Sequence, residues 1–294
     1  MIKRVYIYVF ITAFLFSTME VVLKLVGTKM DPFQLTFLRF AIGGVVLLPF
    51  AFSEIKKRSL KLSVYDYLYL ALLGAICVPL SMVLFQLGIL HSNASTAAVL
   101  YSINPLFSII LAHFITDEYI TKNKIVFIIF GLIGIFFIMR PWELQNGNTA
   151  IGFTFSILSA LMFGFYSVLG KISVDKMGII TQTSISFIFG SFFLLIIILI
   201  TGKPVFSGVI ENFATVLYVS LFVTGLGYYS YFMAIKNSDV TTGSFAFFIK
   251  PAIAPFIAVI VLGDKILWNT YVGIAFILVS SYLNIRYKYK AVAG

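Results

Sequence analysis

The chain has 294 residues, 61% hydrophobic and 11% charged, with a mean hydropathy of +1.05. A soluble globule runs at about 45–50% apolar and about 25% charged, so an ordinary soluble enzyme, a disordered chain and a disulfide-stapled secreted domain are excluded, and a helical integral membrane protein remains. The formal net charge of +10 fits either an anionic partner or an orientation signal, and the positions of the charges decide between them.

Ten apolar segments follow one another near 5–26, 33–52, 66–89, 94–116, 125–140, 150–170, 179–201, 212–235, 240–262 and 268–285. Each is close to the roughly 20 residues a spanning helix needs. The first carries Glu20 and Lys24, is longer than a signal-peptide core and lacks a small-x-small cleavage site, so it is read as a retained helix. The second contains Arg39. The third holds the single cysteine, Cys77, and a helix-breaking Pro79. In the fourth, Pro105 follows Asn104 and leaves the carbonyl of Tyr101 without its helical partner. Tyr166 falls in the sixth and Tyr228 in the eighth. In the ninth, Lys250 sits mid-span before Pro251, with Pro255 one turn on. Short links with Asp31-Pro32, Asn146-Gly147-Asn148, Gly178 and Gly202-Lys203-Pro204 punctuate the segments.

With the N-terminus inside, fourteen loop or terminal lysines and arginines fall on the cytoplasmic side and four outside. This asymmetry predicts both termini in the cytoplasm and an even number of spans in the cell membrane. The charge is therefore mainly an orientation signal, and no nucleic-acid partner is expected. The chain also repeats. At an offset of 147, Ala13, Phe16, Lys24 and Lys29-Met30 match Ala160, Phe163, Lys171 and Lys176-Met177. At 146, Ser92, Thr96 and Pro105 match Ser238, Thr242 and Pro251, and Glu118 aligns with Asp264. Two five-span halves, 1–145 and 146–294, must then lie in the bilayer with opposite orientation, as in many secondary transporters.

Lys24, the Arg39-Phe40 pair and the stretch from Ser95 to Glu118, with Ala97-Ala98, Pro105 and a terminal acidic residue, resemble the EamA-type branch of the drug/metabolite transporter superfamily. The second copy, Thr241 to Asp264 with Pro251, is similar, but has Gly263-Asp264-Lys265 where the family usually has Gly-Glu. Phe16-Ser17 stands where the family often has Trp-Gly. The resemblance spans both halves. It implies a ten-helix, inverted-repeat carrier, often an exporter of amino acids or related metabolites, and no enzyme.

Four ionisable residues lie within the segments: Glu20, Lys24, Arg39 and Lys250. A charge at the bilayer centre costs about 2.5–3.5 kcal/mol on insertion scales, so each needs a purpose. Glu20 and Lys24, four residues apart, either neutralise one another or leave Glu20 to titrate or bind a cation. Arg39 fits snorkelling or pairing across helices, whereas Lys250 beside two prolines fits a cavity wall. Asn104 is its repeat partner, and the span tyrosines Tyr101, Tyr166 and Tyr228 are candidate lining residues. The three-to-one excess of positive over negative residues in the spans favours a carboxylate-bearing substrate. The reversed expectation is an organic or quaternary ammonium cation held by Glu20 and aromatic rings. No cofactor or metal is expected, proton coupling stays open, and the partners are a small-molecule substrate and the lipid bilayer, for a monomer or homodimer.

Overall fold

The computed structural model describes residues 2–26, 29–92, 94–139, 149–263 and 266–293, without the side chains at 2, 20, 23, 24, 94–96, 99, 139, 258, 262 and 288–293. Among the described residues the regular elements are all helices. In chain order they are α1 (Ile2–Val26), α2 (Pro32–Lys57), α3 (Val64–Leu90), α4 (Ala94–Tyr101), α5 (Asn104–Ile115), α6 (Lys122–Met139), α7 (Ala150–Met177), α8 (Ile179–Ile200), α9 (Phe213–Lys236), α10 (Val240–Ser244), α11 (Ala246–Leu262) and α12 (Trp268–Ala293). Among the described residues, six stretches are long and apolar enough to cross a membrane: α2, α3, α7, α8, α9 and the run Val240–Val261 through α10 and α11. About half of each apolar window is buried, and side chains such as Phe50, Leu199 and Ile260 point outward. Helices that meet other helices on one side and lipid on the other show this division.

Local chemistry sets the helix ends. Asp31 accepts the backbone N–H groups of Phe33 at 2.8 Å and Gln34 at 3.3 Å, with Pro32 in the first turn of α2. Ser63 and Asp66 form a reciprocal capping box on α3. Gly178, at φ +94°, turns the chain between α7 and α8, and the N-terminus of α8 is completed by Glu54 from α2. That carboxylate accepts the Thr181 N–H at 2.8 Å and the Thr181 hydroxyl at 2.9 Å.

α2 and α8 run antiparallel. Glu54 near the end of α2 meets the start of α8, while Lys203 just past α8 pairs with Asp31 before α2 at 2.9 Å. The sequence offset reappears as paired contacts. A Cβ on Gly190 would lie 2.5 Å from the Gly74 carbonyl, and one on Gly43 would lie 3.0 Å from the Ser220 carbonyl. Gly43 precedes Gly190 by 147 residues and Gly74 precedes Ser220 by 146. Likewise α6 and α12 touch at Gly134 and Gly273, and the Ser280 hydroxyl donates to the Phe127 carbonyl at 2.5 Å. Small residues at these crossings let backbones approach closely, which is how helices gain packing energy in lipid.

Four breaks interrupt the long helices, at corresponding places in the two halves. α3 passes through a π-helical segment at Ile76–Met82, which includes Pro79, and α9 through one at Val219–Leu226. α4 gives way to α5 just before Asn104-Pro105, and the Tyr101 carbonyl is taken by the Asn104 side-chain amide at 3.2 Å. α10 gives way to α11 at Phe245. Pro251 and Pro255 both lie inside α11. The ring of Pro251 crowds the carbonyl four residues earlier, that of Phe247, and the helix restarts just upstream of it at Ala246.

Candidate functional site

The breaks surround a cavity of about 50 Å³ in the middle of the bundle. Its polar wall is Arg39 from α2, Gln86 from α3 and Lys250 from α11. Its apolar wall comprises Phe16 and Met19 from α1, Met82 and Phe85 from α3, Tyr101 from α4, Val223 and Tyr228 from α9, and Phe247 from α11. Both halves of the chain contribute. Arg39 lies about 10 Å along α2 from Pro32 and about 27 Å from Lys57 at 1.5 Å per residue, so the cavity is displaced toward the end that carries Asp31 and Lys203.

Arg39 is 6% exposed. One terminal guanidinium nitrogen donates to the Met82 sulfur at 3.1 Å, the Phe40 ring lies 4.4 Å from its central carbon, and its Nε–H has no hydrogen-bond partner among the described residues. A thioether is a weak acceptor, so among the described residues this cation is met mainly by a ring face, with its Nε–H left over. Lys250 is equally buried, and its carbonyl accepts the Ser17 hydroxyl at 3.1 Å, fixing α11 against α1. The Gln86 amide donates to the Thr36 hydroxyl at 3.2 Å. No carboxylate lines the cavity among the described residues.

The floor is aromatic. The Tyr228 ring lies 5.0 Å from Phe187, 5.2 Å from Phe16 and 5.7 Å from Phe40. Phe247 is 4.9 Å from Phe163 and 5.9 Å from Tyr101. Most of these pairs are tilted or edge-to-face, the arrangements aromatic quadrupoles favour.

Of the residues singled out from the sequence, Arg39, Tyr101, Tyr228 and Lys250 meet in this one cavity. Tyr166 stands one layer away, its ring 6.2 Å from Tyr228 and its hydroxyl accepting from Gln182 at 3.4 Å. Asn104 is buried behind Tyr101 and serves the helix break. The side chains of Glu20 and Lys24, on α1, lie outside the described residues. Gln86, Met82, Phe85, Phe16 and Phe247 escape sequence reasoning. Gln86 had a readable signal, a polar amide within the apolar run 83–90; the others look like lipid-facing residues. Among the described residues no cluster of three metal-ligating side chains occurs.

Comparison with known proteins agrees with this architecture. A crystal structure of a protein 15% identical superposes with a TM-score of 0.79 over 96% of each chain, showing the same fold. An uncharacterized transporter of Clostridium kluyveri is 39% identical over 98% of this chain and 95% of its own. An uncharacterized transporter of Bacillus subtilis is 26% identical over 75% of this chain and 73% of its own. A protein of Rickettsia felis named as an S-adenosylmethionine uptake transporter is 29% identical over 56% of this chain and 54% of its own. Residues 3–140 and 150–286 each match the EamA-like transporter family. The chain thus belongs to that family, within the drug/metabolite transporters, and is a multi-pass membrane transporter, not an enzyme.

Proposed function

We propose that the chain is a secondary active carrier for a small carboxylate-bearing metabolite, an amino acid or a close relative. In this reading it alternates access by rocking two inverted five-helix repeats, 1–145 and 146–294, about the central cavity. The supporting observation is the meeting of Arg39 and Lys250, one from each half, on one central cavity where the Arg39 Nε–H has no partner among the described residues. A planar guanidinium matches a carboxylate, and the rings opposite suit an apolar or planar body. We further assign ten spans, both termini in the cytoplasm, the cell membrane as location and export as direction. The loop charge asymmetry and the family likeness support these assignments. Proton coupling through Glu20 belongs to the same reading.

The volume supports a contracted state. Ligand sites usually exceed about 300 Å³, so the helices around the cavity must separate to admit a metabolite. The Rickettsia relatives named for S-adenosylmethionine uptake place that compound, which has an amino-acid end and a planar base, among the first to test. The aromatic walls also favour the reversed reading, an organic cation held by rings together with Glu20. Purified protein in proteoliposomes decides. Carboxylate-bearing solutes should drive counterflow, and Lys250→Ala and Glu20→Gln should impair it without loss of folding. Wild-type flux in both variants removes the site assignment, and competition by choline-like compounds but not amino acids selects the cation reading. Uptake without export would reverse the direction.

A further inference from the structure

We propose that Glu118 is a clasp that holds shut the end of the bundle remote from Asp31 and Lys203, and that its release opens the cavity to that side. Glu118 lies in the link between α5 and α6, with a side chain only 9% exposed. Its carboxylate gathers three hydrogen bonds and one further ion pair from three places. Lys171 on α7 reaches Oε1 at 3.0 Å, the Val240 N–H at the start of α10 reaches the same oxygen at 2.7 Å, the Thr241 hydroxyl reaches Oε2 at 3.2 Å, and Lys124 on α6 stands 3.6 Å from Oε2. Glu118 and Lys124 belong to the first half of the chain; the other three belong to the second.

Asp239 already caps α10 by accepting the Thr242 N–H at 2.6 Å, and Glu118 takes a second N–H, that of Val240, from across the bundle. What Glu118 adds is a tie between halves. It also lies in line with the cavity. From Thr241 the chain climbs one turn to Ser244 and another to Phe247, which forms the cavity wall. Between clasp and cavity, the Tyr231 hydroxyl donates to Ser167 at 2.6 Å and lies 3.1 Å from the Ser244 hydroxyl. The Tyr231 ring is 5.8 Å from that of Phe247. The same end is braced by the ion pair of Lys176 with Asp66 and by the Glu54–Thr181 bonds. At the other end the Asp31–Lys203 pair, at 19% and 30%, is more exposed than Glu118 with Lys171, at 9% and 23%. A carboxylate and two ammonium groups at a bundle end regain water when they part, so the clasp can open where an apolar seal would resist.

The test needs no substrate, so its failure is distinct from failure of the cavity reading. In a Cys77→Ser background, a cysteine replaces Ser244, which is fully buried. Its reaction with a membrane-impermeant maleimide is followed in vesicles of both orientations. With Glu118 intact, labelling is slow from either face. Glu118→Gln, which keeps the shape and removes the charge, should speed labelling by about fivefold or more, the equivalent of roughly 1 kcal/mol, and only from the face bearing Glu118. Lys171→Gln should act in the same direction and carries the comparison if the first variant does not fold. A cysteine at Ser156, buried near the opposite end of α7, should remain slow in both. Unchanged labelling at Ser244, or equal acceleration at Ser156, overturns the clasp.

Discussion

Among the described residues, Arg39 is a buried cation whose partners are a ring and a sulfur. The ring of Phe40 and the sulfur of Met82 surround the guanidinium, and both are weak partners compared with an oxyanion. A substrate carboxylate would therefore gain bidentate, charge-assisted bonds at little cost in broken ones. Arg39→Lys keeps the charge and loses the fork, so half-saturation in a flux assay should rise about tenfold, as expected for roughly 1.5 kcal/mol. Arg39→Met should weaken it further, and an unchanged half-saturation in both would place the substrate elsewhere. From the sequence alone Arg39 reads first as a snorkelling or cross-helix paired residue, because snorkelling, pairing and cavity lining all place an arginine inside a span. Its burial at 6% exposure, with the guanidinium against Met82 and Phe40 on the cavity wall, separates these readings. Phe16, Phe85 and Phe247 were illegible for a related reason. A phenylalanine facing lipid and one facing a cavity occupy the same kind of apolar stretch, and hydrophobic periodicity is flat when both faces of a helix are apolar.

At the scale of helices, the crossings of α3 with α8 and of α2 with α9 depend on residues small enough to bring backbones together. Gly190→Ala would place a methyl group 2.5 Å from the Gly74 carbonyl oxygen. Backbone oxygen cannot swing aside as a flexible side chain can, so the helices must part, at about 1–3 kcal/mol for overpacking of this kind. The midpoint of thermal unfolding in detergent should fall by several degrees. Gly225→Ala, whose nearest new neighbour would be 3.4 Å away, should leave it unchanged. Equal midpoints in both variants would show that the bundle tolerates a wider crossing. Glycines are visible in any sequence; their partners are not, since contact across a bundle has no local signature. The π-helical segments divide in the same way. Pro79 announces trouble in α3, but Val219–Leu226 contains no proline, and only the repeat suggests that α9 should break where α3 does.

For the whole molecule, the duplication was the most legible feature, because an offset of 146–147 residues survives as contacts exchanged between halves. The loop charges were legible too, and the structure gathers several of them at one end, where Lys124, Lys171 and Lys176 meet Glu118 and Asp66. Which acid meets which base was not readable, because those partners are up to 110 residues apart and become neighbours only when the helices assemble. The cavity brings a different consequence, an osmotic one. At about 50 Å³ it has room for roughly three to five water molecules, so expansion to metabolite size must draw in many more from the bulk. Water taken up in a step makes that step sensitive to water activity. A polymer too large to enter should therefore slow exchange across proteoliposomes, while glycerol at the same osmolality, small enough to enter, should slow it far less. Each turnover would then include a measurable quantity of osmotic work, set by the difference between a cavity that holds a few waters and one that holds a substrate.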